Sequence, residues 1–149
     1  MYNKILVPTD GSIHSNNALR HAIWIGDQMN GEIIALNVIE NHYLELTSQY
    51  SLINRMENML ADSAKEALDM ASGILTEMKI EGKCKKDMEL IKKIREGNPS
   101  SEILRMIEEE RIDLVVMGKS GRKGIDLFLM GSTATKVVRN APCSVLTVL

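Results

Sequence analysis

Apolar residues along this chain fall into two alternating rhythms. Ile5-Leu6-Val7, within "KILV", is a short unbroken apolar run halted by "PTDGS", whose proline, aspartate and glycine mark a turn. Such a run reads as a strand buried on both faces, the pattern of a parallel sheet under helices. From about Ser15 to Met29 the spacing changes: Ala18, Ala22, Ile25 and Met29 form one helical stripe, and Asn30-Gly31 ends it with residues that tolerate the left-handed conformation. Glu32 to Ile39, "EIIALNVI", is a second strand, and "ENHYLELTSQYS" after it is a polar connection. Between Ser51 and Lys79 runs the longest periodic signal: Ile53, Met56, Leu60, Ala64, Ala67, Ala71, Ile74 and Met78. That helix should be about 40 Å long, enough to cover a sheet, and its methionines are core filler rather than a ligand set.

Residues 83 to 96 fit either rhythm. Met88 and Leu90 alternate, Ile91 and Ile94 suit a helix equally, and the surrounding order favours a strand whose lysines suit a sheet edge. Asn98 can cap the next helix, with Pro99 at its first position and Ile103, Met106 and Ile107 facing inward. Its end, "EEER", puts three acids where the helix dipole prefers cations, with no partner evident in the sequence. Ile112 to Met117 is a further buried strand, Ser132 to Asn140 a helix, and "APCSVLTVL" a last strand. Strands alternating with helices predict an α/β fold: an open, mostly parallel sheet with helices on both faces. Neither internal repeats nor linkers interrupt it.

Composition narrows the functional classes. At 149 residues the chain is expected to be a single domain spanning 1–149. A net charge of −2 and 3% aromatics argue against a nucleic-acid partner, and the absence of any long apolar run argues against a membrane one. Cys84 and Cys143 form no disulfide framework, which points to reduced thiols and a cytoplasmic location. His14, His21 and His42 share no metal spacing and read as surface or partly buried residues. Trp24 is expected to pack a helix, Cys143 to be buried, and Leu127 to Met130 to pack on the core or a partner subunit.

In such sheets a ligand lies beyond the carboxyl ends of the strands, where strand order reverses. "MGKSGRKGIDLFLMGST", Met117 to Thr133, falls there. Gly118 and Gly121 permit a tight turn with outward amides, and Gly131 removes a side chain at a helix start. Ser132, expected as the helix cap, and Thr133 bring hydroxyls to the positive dipole end, and Lys119, Arg122 and Lys123 add charge. A polyphosphate suits this segment. Walker A is excluded because Asp113 stands where its first glycine belongs, and the dinucleotide fingerprint is missing from the first turn. What remains is G-x2-G-x9-G-S.

That motif, together with "KILVPTDGS", "ALNVIE" and "DLVVMGKSGRKGIDLFLMGSTATKVVRNAPCSVLTV", resembles the universal stress protein family over nearly the whole chain. The resemblance implies a Rossmann-like sheet of five strands in order 3-2-1-4-5, similar to adenine nucleotide alpha-hydrolases, and a homodimer through the last strand. It also implies the ATP-binding subgroup. By position, Pro8, Thr9 and Asp10 would face the nucleoside, Val38 would offer its backbone to adenine, and Met117 and Gly118 would line the ribose. Gly121, Arg122, Gly131, Ser132 and Thr133 would hold the phosphates, which would carry Mg²⁺ or Mn²⁺. The role implied is regulatory, in stress response. A slow ATPase is the alternative, disfavoured because Asp126 is the only carboxylate in the segment. A charged residue at Val148 is expected to yield monomers.

Overall fold

The computed structural model describes residues 1–40, 50–119 and 130–149. Along the chain run β1 (Lys4–Pro8), α1 (Ile13–Met29), β2 (Glu32–Ile39), α2 (Tyr50–Ile80), β3 (Leu90–Glu96), α3 (Pro99–Glu110), β4 (Leu114–Gly118), α4 (Ser132–Asn140) and β5 (Ser144–Val148). The strands form one sheet in the order β3-β2-β1-β4-β5, and every pairing is parallel. Residues of one strand alternate between two cores. Ile5 and Val7 pack beneath α1 and α2, whereas Leu6 points the other way into a core shared with α3 and α4. Both faces are covered, which is why the central strands read as unbroken apolar runs.

Helix ends follow their local chemistry. Ser12 caps α1 by accepting Ser15 N–H at 3.2 Å, and Asn30 closes it at φ 51°. Gly31 is required by space, since an added Cβ would lie 2.8 Å from the Tyr2 carbonyl oxygen. Asn98 caps α3 with Pro99 behind it, as the sequence leads one to expect. The acids at the end of α3 find cations on the sheet: Glu110 pairs with Lys93 and Lys4, and Glu109 with Arg95. The hydrogen bond from Lys93 leads in holding the Glu110 carboxyl below its usual range.

Of the ambiguous stretch 83–96, only Leu90–Glu96 is strand. It forms one edge of the sheet, and its cations are tied to both layers: Lys92 to Asp69 of α2, Arg95 to Glu102 and Glu109 of α3. Three expectations need correction. Trp24 is 58% exposed rather than packed, because it falls on the outer side of α1. Cys143 is only partly buried, just ahead of the exposed-edge strand β5. Val148 lies within the core under α1, so a charge there would disrupt the protomer's own packing before it reported on any partner. Cys84 and Cys143 are free thiols in contact with the cores on opposite faces of the sheet. His42 and Leu127 to Leu129 lie outside the described residues, and Met130, the last of the four expected to pack, is 36% exposed and not in the core of this chain. Among the described residues no helix is long and apolar enough to cross a membrane.

Candidate functional site

The strand registers open a crevice. Pairing between β1 and β4 ends at Leu6↔Val115, although β1 continues to Pro8 and β4 to Gly118. On the other side β1 stays with β2 as far as Pro8↔Leu36, and Thr9 N–H adds one more bond to the Leu36 carbonyl at 2.8 Å. The central strand therefore parts from β4 before it parts from β2. This is the point where strand order reverses, the place a doubly wound sheet reserves for a ligand.

β2 outruns β1. Leu36 directs its carbonyl at Thr9, while Ile39 accepts from Gly97 N–H on the β3 side at 2.9 Å. Backbone groups alternate sides along a strand, so Val38 turns its N–H and C=O toward the side that β1 has vacated. Its side chain packs against the α3–α4 core. Val38 thus presents one donor and one acceptor at fixed spacing, the complement that a heterocycle edge requires.

The turn after β1 is held by a chain of short polar residues. Thr9 and Ser15 are buried, and the Thr9 hydroxyl donates to Ser15 Oγ at 3.2 Å while accepting from Gly11 N–H at 3.3 Å. Asp10 is half-buried, and its Oδ1 accepts Ser12 N–H at 3.0 Å, an Asx turn. Gly11, at φ 76°, supplies the left-handed residue that the turn needs. From β2, the buried Asn37 carboxamide donates to the Thr9 carbonyl at 2.8 Å. Asn37 escapes notice in the sequence because it stands inside an apolar strand run.

At the end of β4 the reading of two residues changes. Met117 buries its side chain in the α3–α4 core, leaving only its backbone for a guest. Gly118 is needed for packing, not for an unusual backbone angle. A Cβ there would come within 2.9 Å of the backbone and Cβ of His14, so the missing side chain lets the first turn of α1 close on β4. His14 is partly buried, as expected, but its contact with Gly118 has no signal in the sequence. Its Nδ1 is buried with no hydrogen-bond partner among the described residues, and only the fold brings it to Gly118.

Lys119 N–H bonds to the Val148 carbonyl and Gly131 N–H to the Lys119 carbonyl, both at 2.8 Å. The start of α4 is thereby fixed beside the end of β4, bringing Gly131, Ser132 and Thr133 to the same rim as Pro8, Thr9, Asp10, Val38, Met117, Gly118 and Lys119. Gly121, Arg122 and Lys123 lie outside the described residues. The expected cap is corrected: Gly131, not Ser132, is the N-cap of α4, and among the described residues no side chain makes a cap bond to its first turn. Glycine has no side-chain oxygen to offer, and Ser132 comes one position too late to serve. At φ −59° and ψ 154° Gly131 adopts a conformation open to any residue, so the backbone does not demand glycine there.

Comparison with known proteins places this architecture. The model of the universal stress protein family matches residues 1–148. A universal stress protein of Methanocaldococcus jannaschii, MJ0531, is 32% identical over 99% of this chain and 82% of its own length. UspA of Lactobacillus plantarum has a solved structure that superposes with a TM-score of 0.81 at 26% identity, covering 99% of this chain and 98% of that one. A universal stress protein in complex with cAMP shares the fold at a TM-score of 0.64 and 24% identity, covering 99% of this chain and 96% of that one. The fold recurs in an Arabidopsis thaliana protein with AMP bound and an Archaeoglobus fulgidus protein in complex with dAMP, at 16% and 19% identity. A match to the family model along almost the full length, on a sheet of the same design, means that this chain belongs to the universal stress protein family.

Proposed function

We propose that the chain binds ATP at the crevice between β1 and β4 and acts as a regulatory nucleotide-binding homodimer of the cytoplasm in stress response. The observation that carries this reading is the start of α4, where the N-cap is a glycine with no side-chain bond to offer, tied to the end of β4 from which β1 has parted. Free amides at a positive dipole end are a ready site for phosphate. Val38 would take the adenine edge through its backbone and Asp10 would face the ribose. Lys119 and Thr133, with Arg122 and Lys123, would surround the phosphate tail. Mg²⁺ or Mn²⁺ would ride on the phosphate oxygens. The adenine nucleotides carried by the three fold neighbours are of the same chemical class.

Two measurements test it. Heat-denatured protein should release adenine nucleotide detectable by chromatography, and calorimetric titration with ATP should give saturable binding. Gly131→Val should then abolish that binding with the fold intact and the melting temperature lowered by only about 2–4 °C, since valine tolerates the backbone angles there, caps a helix less well than glycine, and would fill the space a phosphate needs. Retained affinity in that variant would remove the phosphates from α4. Slow ATP hydrolysis is the second reading, and steady turnover by the purified protein would establish it.

A further inference from the structure

We propose that Asn37 is a positioning residue for the nucleoside half of the crevice, acting on a guest through the β1–α1 turn that carries Asp10. This rests on the adenine nucleotide reading above and assigns a role to a residue outside the ligand-facing set. Asn37 is buried, and its carboxamide Nδ2 donates to the Thr9 carbonyl at 2.8 Å. Thr9, one residue past β1, makes the last tie of that segment to β2, through its own N–H to the Leu36 carbonyl. Both backbone groups of Thr9 are thus clamped from consecutive residues of β2: the N–H by the Leu36 carbonyl, the C=O by the Asn37 side chain.

The clamp reaches further. The Thr9 hydroxyl accepts Gly11 N–H at 3.3 Å and donates to Ser15 Oγ at 3.2 Å, and Ser15 in turn is bonded to Ser12, whose N–H holds Asp10 Oδ1. Asp10 lies between two anchored residues, and the bond from Ser12 N–H to its Oδ1 ties the carboxylate to that network. An apolar residue at position 37 would pack equally well in the α1-side core. It would leave the Thr9 carbonyl buried without a donor and release the turn toward β4. The strand alternation that turns the Val38 backbone to the crevice also turns the Asn37 side chain to Thr9. Base contact and turn clamp therefore come from neighbouring residues and share one register.

The test compares ATP with inorganic tripolyphosphate, which needs the phosphate end but not the nucleoside end. By calorimetry, Asn37→Leu should weaken ATP about tenfold, the effect of one buried hydrogen bond, while tripolyphosphate stays within about twofold. Asn37→Val, which also lacks the donor at any pH, should give the same split. In an Asp10→Ala background Asn37→Leu should cause almost no further loss, because its route runs through Asp10. Equal losses for both ligands, no loss for ATP, or full additivity with Asp10→Ala would each overturn the assignment. Wild-type protein that fails to bind ATP would overturn the site reading itself, and the assignment with it.

Discussion

Asp113 shows how much a single side chain can fix at the end of the sheet away from the crevice. Its Oδ2 accepts the backbone N–H of Asn3 at 2.8 Å and of Lys4 at 2.9 Å, joining the entry to β1 with the entry to β4. Those two donors, Lys4 first, hold the carboxyl below its ordinary range. A folded-state pKa below the unfolded value gives stability that is present above about pH 4 and fades as pH falls through the folded pKa. Asp113→Ala should cost about 1 kcal/mol at pH 7, or roughly 2–4 °C in Tm, and melting curves should show the gap to wild type closing in acid. In the sequence Asp113 is visible only as the residue that spoils a Walker A motif. Its role depends on two amides more than a hundred positions away, which no local pattern encodes. Asn37 and His14 are hidden for the same reason, and Gly118 stands out in the sequence for a turn but is needed for its contact with His14.

Elements were far more legible than these contacts. β2 and α4 begin and end where turn residues and apolar spacing place them, because Asn30-Gly31 and the Gly131 boundary act through local sterics. β3 was blurred because an edge strand with lysines on both faces shows neither clean alternation nor a helical stripe. The cap of α4 lies one residue earlier than the hydroxyl suggests, because glycine is itself tolerated at an N-cap and Ser132 already belongs to the helix. In α2 one residue works against its surroundings. Gly73 is exposed within the helix, and a Cβ added there would meet nothing within 4 Å. Gly73→Ala should therefore stabilise the protein by about 0.5–1 kcal/mol, seen as a higher urea midpoint with an unchanged slope. Gly31→Ala should do the opposite, against the Tyr2 carbonyl.

For the whole molecule, the question is what its two sheet edges do. β3 ties its cations to α2 and α3, whereas β5 carries no charged residue, and Leu146 is 37% exposed. Pairing through β5 would build the proposed homodimer, and Leu146 is a better probe of it than the core residue Val148. Leu146→Lys should shift the mass measured by light scattering from two chains to one while leaving the circular dichroism spectrum unchanged. Wild-type protein already running as a single chain would dismiss the dimer. The resemblance brought out strand order and family from the motif and the flanking strands together. Neither would follow from the glycine spacing alone, which says nothing about how strands are arranged.

The unequal borders of the sheet also bear on solubility. A ribbon with adhesive margins on both sides can recruit copy after copy into a filament. Among the described residues one margin is fenced by ion pairs, so in the proposed dimer joining along the other would leave no open border. Association of that kind terminates at a pair, and crowding the protein to high concentration should thicken the solution without seeding fibres.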